Sequence, residues 1–224
     1  MSRITRWIAT WRCCSLACME FRRLRRDEID RIWTNDRRER IDNLYRLVDG
    51  ELRLEPHDFD VPGWPPEDSR TYAPLLLETF ERGGDFYAAF DGEQFAGLAV
   101  LDTVWRGAEL DLLQLEFMHV GRDYRGQGLG KTLFERARKA AKERGAKGLY
   151  ISATPTENTI RFYQDLLGFP LTALFENRDY KGSTHLFFDI GNGNSLAFFD
   201  FPGLGLGPYA EVLAGLHHLA ISVT

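Results

Sequence analysis

The sequence predicts a mixed α/β fold in which helices flank a central, mostly antiparallel sheet. Three observations lead to this class. Residues 86–120 fit a three-strand meander, residues 129–144 have the periodicity of an amphipathic helix, and residues 149–152 form a short apolar run typical of a buried strand. Of the 224 residues, 44% are hydrophobic, so the chain can bury a sizeable core. The net charge of −5 argues against a protein that mainly binds nucleic acid.

The residues before the meander predict one strand and two helices. Residues 19–24 alternate apolar and polar side chains, which is a strand pattern. A helix is predicted from Arg26 to about Asn43. Residues 50–70 are rich in proline and acidic side chains and favour a loop, and a second helix is predicted over residues 71–82.

The meander begins with a strand over residues 86–90. Asp91-Gly92 is a favoured hairpin turn, and the returning strand spans residues 94–104. A third strand covers residues 110–120 and runs into a glycine-rich loop. After the loop, the predicted helix over residues 129–144 precedes the buried strand. A further helix and then extra C-terminal strands complete the pattern, with the helix ending near Gly168 and the strands at 171–175, 185–190, 196–201 and 218–223.

All three cysteines lie within the first 18 residues, too close together to staple the fold. This usage favours reduced thiols and a cytoplasmic protein. Residues 1–18 are predicted to be a poorly ordered N-terminal extension, and Met19 is a candidate for the natural start. No apolar run reaches the roughly 18 residues of a transmembrane helix, so we expect no membrane partner.

The loop from Gly121 to Gly128 has the character of an anion site. Backbone N–H groups at the start of a helix have no partner within it, and glycines let an anion approach them. The Arg125 guanidinium adds a positive charge. Two phosphate-binding motifs do not fit, because a Walker A loop needs glycine at position 125 and Gly126, Gly128 and Gly130 are not spaced as GxGxxG. The alternative is a glycine-rich turn without a ligand.

The segment from Gln114 to Lys131 resembles the coenzyme A-binding motif of GNAT-type N-acetyltransferases. That motif has the form Q/R-x-x-G-x-G/A, and Arg125-x-x-Gly128-x-Gly130 matches it. Residues 151–163 resemble the strand and helix that flank the thioester in the same family. The resemblance covers about residues 19–165.

The resemblance implies transfer of an acetyl group from acetyl-CoA to a primary amine of an unidentified small molecule or protein. Acetyl-CoA is then the co-substrate, no metal is expected, and a homodimer is compatible with the fold. The backbone of Met118, His119 and Val120 would bind the pantetheine arm, which Asn158 would also contact. The expected pyrophosphate site consists of Arg125, Gly126, Gln127, Gly128, Leu129, Gly130 and Lys131.

Two residues are candidates for the chemistry. An amine must lose a proton before it attacks, and Glu116, on the strand before the loop, is the candidate base. Glu109 and Asp111 are weaker alternatives, and an ordinary strand carboxylate is the competing interpretation of Glu116. Tyr163 matches the tyrosine that protonates the leaving thiolate in many family members. A core aromatic on an amphipathic helix is the competing interpretation of Tyr163.

The resemblance weakens after Tyr163. The family usually closes this helix as Phe-Tyr-x-x-Leu-Gly-Phe, whereas Phe162 to Phe169 is one residue longer. Residues 160–224 instead resemble a fragment of the vicinal oxygen chelate superfamily. We therefore expect an acetyltransferase-like domain over residues 19–190, whose last two strands come from residues 170–190, and a surplus partial module over residues 191–224. A coenzyme A-binding protein with impaired catalysis and a divalent-metal chelate enzyme remain alternatives.

Overall fold

The computed structural model describes residues 16–48, 51–65, 67–106, 110–153, 156–166, 168, 171–176, 184–191 and 194–200. The first half contains β1 (Glu20–Arg23), a 3-10 helix (Arg26–Thr34), β2 (Glu39–Val48), β3 (Glu51–Val61), α1 (Asp68–Glu81), β4 (Asp85–Asp91) and β5 (Gln94–Arg106). The second half contains β6 (Leu112–Val120), α2 (Leu129–Glu143), β7 (Gly148–Ala153), α3 (Glu157–Arg161), β8 (Leu171–Glu176), β9 (Thr184–Gly191) and β10 (Asn194–Asp200).

Eight strands form one sheet in the order β1-β4-β5-β6-β7-β10-β9-β8. The pairs from β1 through β6 are antiparallel, and β6 pairs with β7 in parallel. Strands β2 and β3 form a separate hairpin. The predicted fold class, with its mostly antiparallel sheet and flanking helices, is confirmed.

Two apolar layers cover opposite faces of this sheet. Helix α2 packs on one face through Leu129, Leu133 and Phe134, which are all buried. The 3-10 helix and α1 pack on the other face, around Phe86 and Phe117. Each face of the central strands is therefore covered, as the near-continuous apolar run of β5 requires.

The hairpin of β2 and β3 corrects the prediction for residues 26–70. The expected helix ends at Thr34 as a 3-10 helix, and the expected loop contains an eleven-residue strand. Asp49-Gly50, a favoured hairpin pair, lies between the two strands in the sequence and was the signal for them. The hairpin is largely polar, so its alternation is weak, and among its residues whose burial is described, Ile41, Leu44 and Val61 form a small buried cluster.

The C-terminal strands differ from the expectation that residues 170–190 complete the sheet. Strand β10, from the segment predicted to be surplus, lies between β7 and β9 and pairs with β7 in parallel. Its run Leu196–Phe199 is continuously apolar, which is typical of an interior strand. The predicted strand at 218–223 lies outside the described residues, and so does the rest of the chain after residue 200.

The extra residue after Tyr163 has a local structural explanation. Residues Phe162–Leu166 form a π-helical turn at the end of α3. A π turn accommodates one more residue than an α turn, so the helix can absorb the insertion. The longer spacing therefore does not require a change of fold at this point.

The described part of the N-terminal extension is packed rather than detached. Leu16–Cys18 form a short 3-10 turn, and Leu16 contacts the core beneath α2. Cys18 forms a disulfide, which differs from the expectation of reduced thiols. Both other cysteines lie outside the described residues.

Within the described ranges, no helix is long and apolar enough to cross a membrane.

Helix α1 ends in a tight turn that brings it against β5. Gly83 has φ of +86° and its N–H donates to Phe80, while the Gly84 N–H donates to Thr79. A Cβ on Gly84 would lie 2.7 Å from Thr79 Cγ2 and 3.2 Å from the Leu101 carbonyl oxygen. The absence of a side chain at Gly84 therefore sets the distance between α1 and the sheet.

Replacing each of the two glycines of this turn by alanine tests close packing at Gly84 and backbone strain at Gly83 separately. We expect Gly84→Ala to destabilise the protein by about 3 kcal/mol or more, because the new methyl group meets backbone atoms. Gly83→Ala has open space around its Cβ and should cost only about 1 kcal/mol, from its left-handed φ. Urea unfolding measures both, and equal losses would contradict the packing argument.

Candidate active site

Strand β6 leaves its neighbour β7 part of the way along. The last pair between them joins Leu115 to Ile151. Beyond it, the described residues of β6 pair with β5 only, while the end of β7 pairs with β10. The β6–β7 ladder therefore ends there, and the edge of β6 at Met118, His119 and Val120 that would face β7 has no strand partner among the described residues. The space between the two strand ends is called the cleft below.

Two irregularities in the β5–β6 ladder lie where the β6–β7 ladder ends. Val100 pairs with Phe117 and Leu101 with Leu115, so Glu116 is an extra residue in β6. On β5, residues 102–104 stand opposite Gln114 alone. Bulges re-aim side chains and are frequent next to active sites. Here they turn Glu116 toward α1 rather than toward α2.

The glycine loop leads directly into α2. Its N-cap is Gly128, with φ of +83°, and no side chain caps the helix there. The first backbone bond of α2 runs from the Thr132 N–H to the Gly128 carbonyl. Amide groups in the first turn therefore remain oriented toward the loop, with the positive end of the helix dipole behind them.

The predicted loop residues fall into different environments. Leu129 is buried in the core, and Gln127 donates to the Asp123 carbonyl at 2.9 Å. Lys131 is exposed on the first turn of α2. A Cβ on Gly130 would approach the Phe162 ring to 3.1 Å and Met118 Cε to 3.5 Å. Gly130 therefore allows α2 to begin directly against the cleft.

The Arg125 side chain was predicted to add positive charge at the anion site, but it points elsewhere. Its Nε donates to the Val120 carbonyl at 3.0 Å, and its Nη1 lies 3.3 Å from a Glu39 carboxylate oxygen. The guanidinium also reaches the carbonyls of Arg37 and Arg38. It is thus a structural tie between the loop and the start of β2, and only the backbone of Arg125 is left for an anion.

The imidazole of His119 lies on the face opposite α2. Its Nδ1 is 2.9 Å from Asn35 Nδ2, its Nε2 is 3.4 Å from Arg125 Nη2, and its ring packs against Trp64. Burial, with the nearby Arg125 and Arg37, lowers the pKa of His119 to about 3. His119 is therefore neutral at physiological pH, and its side chain takes part in packing.

Asn158 meets the same Glu39 that pairs with Arg125. Its Nδ2 donates to Glu39 Oε1 at 3.0 Å. Glu39 therefore links the glycine loop to the start of α3. Because Thr156 caps α3 by accepting from the Thr159 N–H, the position of Asn158 is fixed relative to the loop.

The Glu116 carboxyl is partly buried and lies beside Thr79 of α1. Burial raises the pKa of Glu116 to about 7, and the repulsion from Asp102 acts in the same direction. The Thr79 hydroxyl, Arg82 and Arg106 oppose this rise. Among the described residues, Glu116 Oε2 has no hydrogen-bond partner. A carboxylate of this kind can accept a proton near neutral pH.

The Tyr163 side chain is buried beneath the cleft. Its ring packs edge-on against Phe134 and Phe162. Burial raises the pKa of Tyr163, so its hydroxyl is protonated at neutral pH. The ring thus has a packing role, and its protonation state also suits a proton donor.

The weaker candidates do not join this site. Asp111 pairs with Lys147 at 3.1 Å, and Glu109 lies outside the described residues.

Sequence reasoning missed Thr79, Arg82 and Asp102, which surround Glu116 but are far apart in the sequence. Within the described ranges, no group of three or more His, Cys, Asp or Glu side chains is placed to hold a metal ion.

Comparisons with known proteins bear on the family and the fold of this chain. A family model described as the acetyltransferase (GNAT) family matches residues 42–169. No curated protein sequence matches the chain. Nothing in these comparisons bears on the predicted resemblance of residues 160–224 to the vicinal oxygen chelate superfamily, which stays a prediction.

Several solved structures are similar. Nourseothricin acetyltransferase is 22% identical, with a TM-score of 0.56, and the match covers 81% of this chain and 96% of that one. A Desulfovibrio desulfuricans protein assigned to the GNAT family is 17% identical, with a TM-score of 0.52, over 76% of this chain and 96% of that one. The ribosomal-protein-S18-alanine N-acetyltransferase from Escherichia coli is 18% identical, with a TM-score of 0.48, over 83% and 98%. At these identities the first two comparisons establish a shared fold.

The raised pKa of Glu116 predicts how stability depends on pH. The folded protein binds this proton more tightly than the unfolded chain, whose carboxyl has a pKa near 4.5, so wild-type stability falls as pH rises from about 4.5 to 7. Glu116→Gln removes this loss. We expect the variant to be more stable than wild type by about 2 kcal/mol near pH 8, with a much smaller difference near pH 4. Urea unfolding at both pH values measures this, and a pH-independent difference would contradict it.

Proposed function

We propose that this chain, which belongs to the acetyltransferase (GNAT) family and uses acetyl-CoA, passes the acetyl group to a primary amine. The observation that supports this best is the position of Glu116. It is the first residue of β6 beyond the last pair with β7, and its carboxyl combines partial burial with an oxygen that lacks a described partner. The proposed base would thereby lie at the opening of the cleft, which begins at the proposed anion site.

The coenzyme is proposed to lie along the cleft from the side of α2. Its pyrophosphate would accept hydrogen bonds from the backbone of residues 125–131, where the helix dipole favours negative charge. The pantetheine arm would follow the edge of β6 at Met118 and His119. Val120 would contribute less, because its carbonyl already accepts from Arg125. Asn158 would contact the arm from α3.

The acceptor amine is proposed to enter from the opposite side of the sheet. Glu116 faces α1, and the bulge of residues 102–104 widens the ladder beside it. An amine there would reach the thioester through the gap between β6 and β7. The two substrates would therefore approach the same point from different faces, and neither would have to leave first.

The chemistry then follows from the charges. The carboxylate of Glu116 takes a proton from the ammonium form of the acceptor, directly or through water. The amine lone pair forms a bond to the carbonyl carbon of the thioester, and the carbon–sulfur bond breaks. The sulfur leaves with that electron pair as a thiolate, which Tyr163 protonates in this proposal. The amide nitrogen then gives up its second proton, which restores the Tyr163 hydroxyl directly or through water. The products are an acetamide and free coenzyme A.

The coenzyme site is tested by a charge placed at the start of α2. Gly128→Asp puts a carboxylate where the pyrophosphate is proposed to bind, so we expect the Kd for acetyl-CoA to rise at least tenfold, measured by isothermal titration calorimetry. Gly145→Asp is the matched control, since Gly145 follows the same helix and has a similar φ of +87°. Equal weakening by both variants would refute the assignment of the anion site.

The chemical roles are tested by two isosteric variants in an amine-dependent thiol-release assay. The acceptor panel covers primary amines and includes nourseothricin. We expect Glu116→Gln to lower kcat by about 10²-fold or more, and Tyr163→Phe to lower it by at least about tenfold, with unchanged affinity for acetyl-CoA. Unchanged turnover in Tyr163→Phe would leave that residue with a packing role alone. Wild-type protein that binds acetyl-CoA but acetylates no amine would instead identify a coenzyme-binding protein without this catalysis.

A further inference from the structure

A chain of polar groups connects Glu116 to the sheet behind it. Thr79 is fully buried on α1 beside Glu116, and its hydroxyl opposes the rise in the pKa of the Glu116 carboxyl. Arg82 Nη2 lies 3.0 Å from Thr79 Oγ1 and also 3.0 Å from Asp102 Oδ1. Asp102 is buried in the β5 bulge, where its Oδ1 also accepts from the Thr103 N–H at 2.6 Å.

We propose that Thr79, Arg82 and Asp102 are positioning residues for the Glu116 carboxyl, with Asp102 holding the Arg82 guanidinium away from it. The proposal rests on the proposed role of Glu116 as the base. It assigns a function to the two opposed bulges, since one presents Glu116 and the other presents Asp102.

The direction of each hydrogen bond follows from the donors present. A guanidinium can only donate, so Thr79 Oγ1 accepts from Arg82. The single hydrogen of the Thr79 hydroxyl is then left to point at the Glu116 carboxyl. Asp102 accepts from the same guanidinium nitrogen, and Glu78 accepts from Arg82 Nη1 at 2.7 Å. Arg82 is therefore held by two carboxylates that are not the base.

This arrangement keeps a cation near the base without pairing the two. An arginine in direct contact with Glu116 would stabilise the carboxylate and make it a weaker base. The charged groups that face Glu116 are Arg82 at the end of α1 and Asp102 and Arg106 on β5. On β7, Tyr150 stands at the register position of Gln114, and burial raises its pKa to about 12, so it is uncharged. Asp102 is thus the one described anion among the groups that act on Glu116.

Two substitutions are expected to move the proton affinity of Glu116 in opposite directions. Thr79→Val removes a hydrogen bond to the carboxylate, so the pKa of Glu116 should rise by about one pH unit. Asp102→Asn removes a negative charge and releases Arg82, so the same pKa should fall by about one pH unit or more. Thr79→Ser restores the hydroxyl and should return the pKa to the wild-type value.

The pKa is measured directly by ¹³C NMR titration of the Glu116 carboxyl in labelled protein, with Glu116→Gln to assign the signal. Asp85→Asn is the matched control. Asp85 is also buried and also paired with an arginine, Arg144 at 3.0 Å, but Arg144 follows α2, which covers the face of the sheet opposite to the one that Glu116 faces. We expect this control to leave the pKa of Glu116 unchanged. Shifts in the same direction, no shifts, or a shift in the control would overturn the proposal.

The pH profile of kcat/KM separates this proposal from the proposed function. If Glu116 is the base, the acidic limb of the profile should move with the NMR pKa, upward in Thr79→Val and downward in Asp102→Asn. Opposite NMR shifts without movement of the limb would support the positioning chain and overturn the role of Glu116 as base. Circular dichroism checks that each variant is folded, and Thr79→Ser provides a mild substitution if Thr79→Val is not.

Discussion

Strand β6 cannot pair on both edges along its whole length, and the candidate site depends on this constraint. Up to Leu115 it has β5 on one side and β7 on the other. From Glu116 onward β5 is its one partner among the described strands, and the extra residue in the ladder lies at the same point. One local change of register therefore opens a cleft, exposes a strand edge and turns a carboxyl toward α1. The helix that follows begins at the proposed anion site, at the far end of the same cleft.

The ionised form of the Glu116 carboxyl is unfavourable in the folded protein. A carboxyl with a buried oxygen and no described partner for it costs free energy when it ionises. The buried carboxylate of Glu28 differs, because it binds Arg22 at 2.7 Å and accepts from the Arg25 N–H, which lowers its pKa to about 2. Glu28 and Glu116 have opposite pKa shifts because both oxygens of Glu28 accept hydrogen bonds, whereas one oxygen of Glu116 has no described partner. A destabilising, poorly paired carboxyl is expected at a position that is kept for function rather than for stability.

The sequence was informative where structure is local. The meander, α2 and β7 could be predicted because periodic apolar patterns and glycine stops coincide there. The anion loop could be found because its glycines and its helix are adjacent in the chain. The β2–β3 hairpin was missed because its strands carry polar side chains on both faces and bury only a small cluster.

Side-chain direction could not be predicted in the same way. The Arg125 motif position was found, but its guanidinium contacts backbone carbonyls that lie more than 80 residues earlier in the sequence. The group around Glu116 was invisible because Thr79 and Asp102 meet it only through tertiary packing. The turn at Gly84 brings α1 close enough to β5 for this meeting, and no short motif encodes that distance.

The interactions of Arg125 have a consequence for the energetics of coenzyme binding. Because its guanidinium already ties the loop to the Val120 carbonyl and to Glu39, the loop is pre-organised before any anion arrives. The conformational entropy of ordering these residues is lost when the protein folds and not when the ligand binds. In the proposed site, binding energy that would otherwise offset that loss would then hold the thioester beside Glu116.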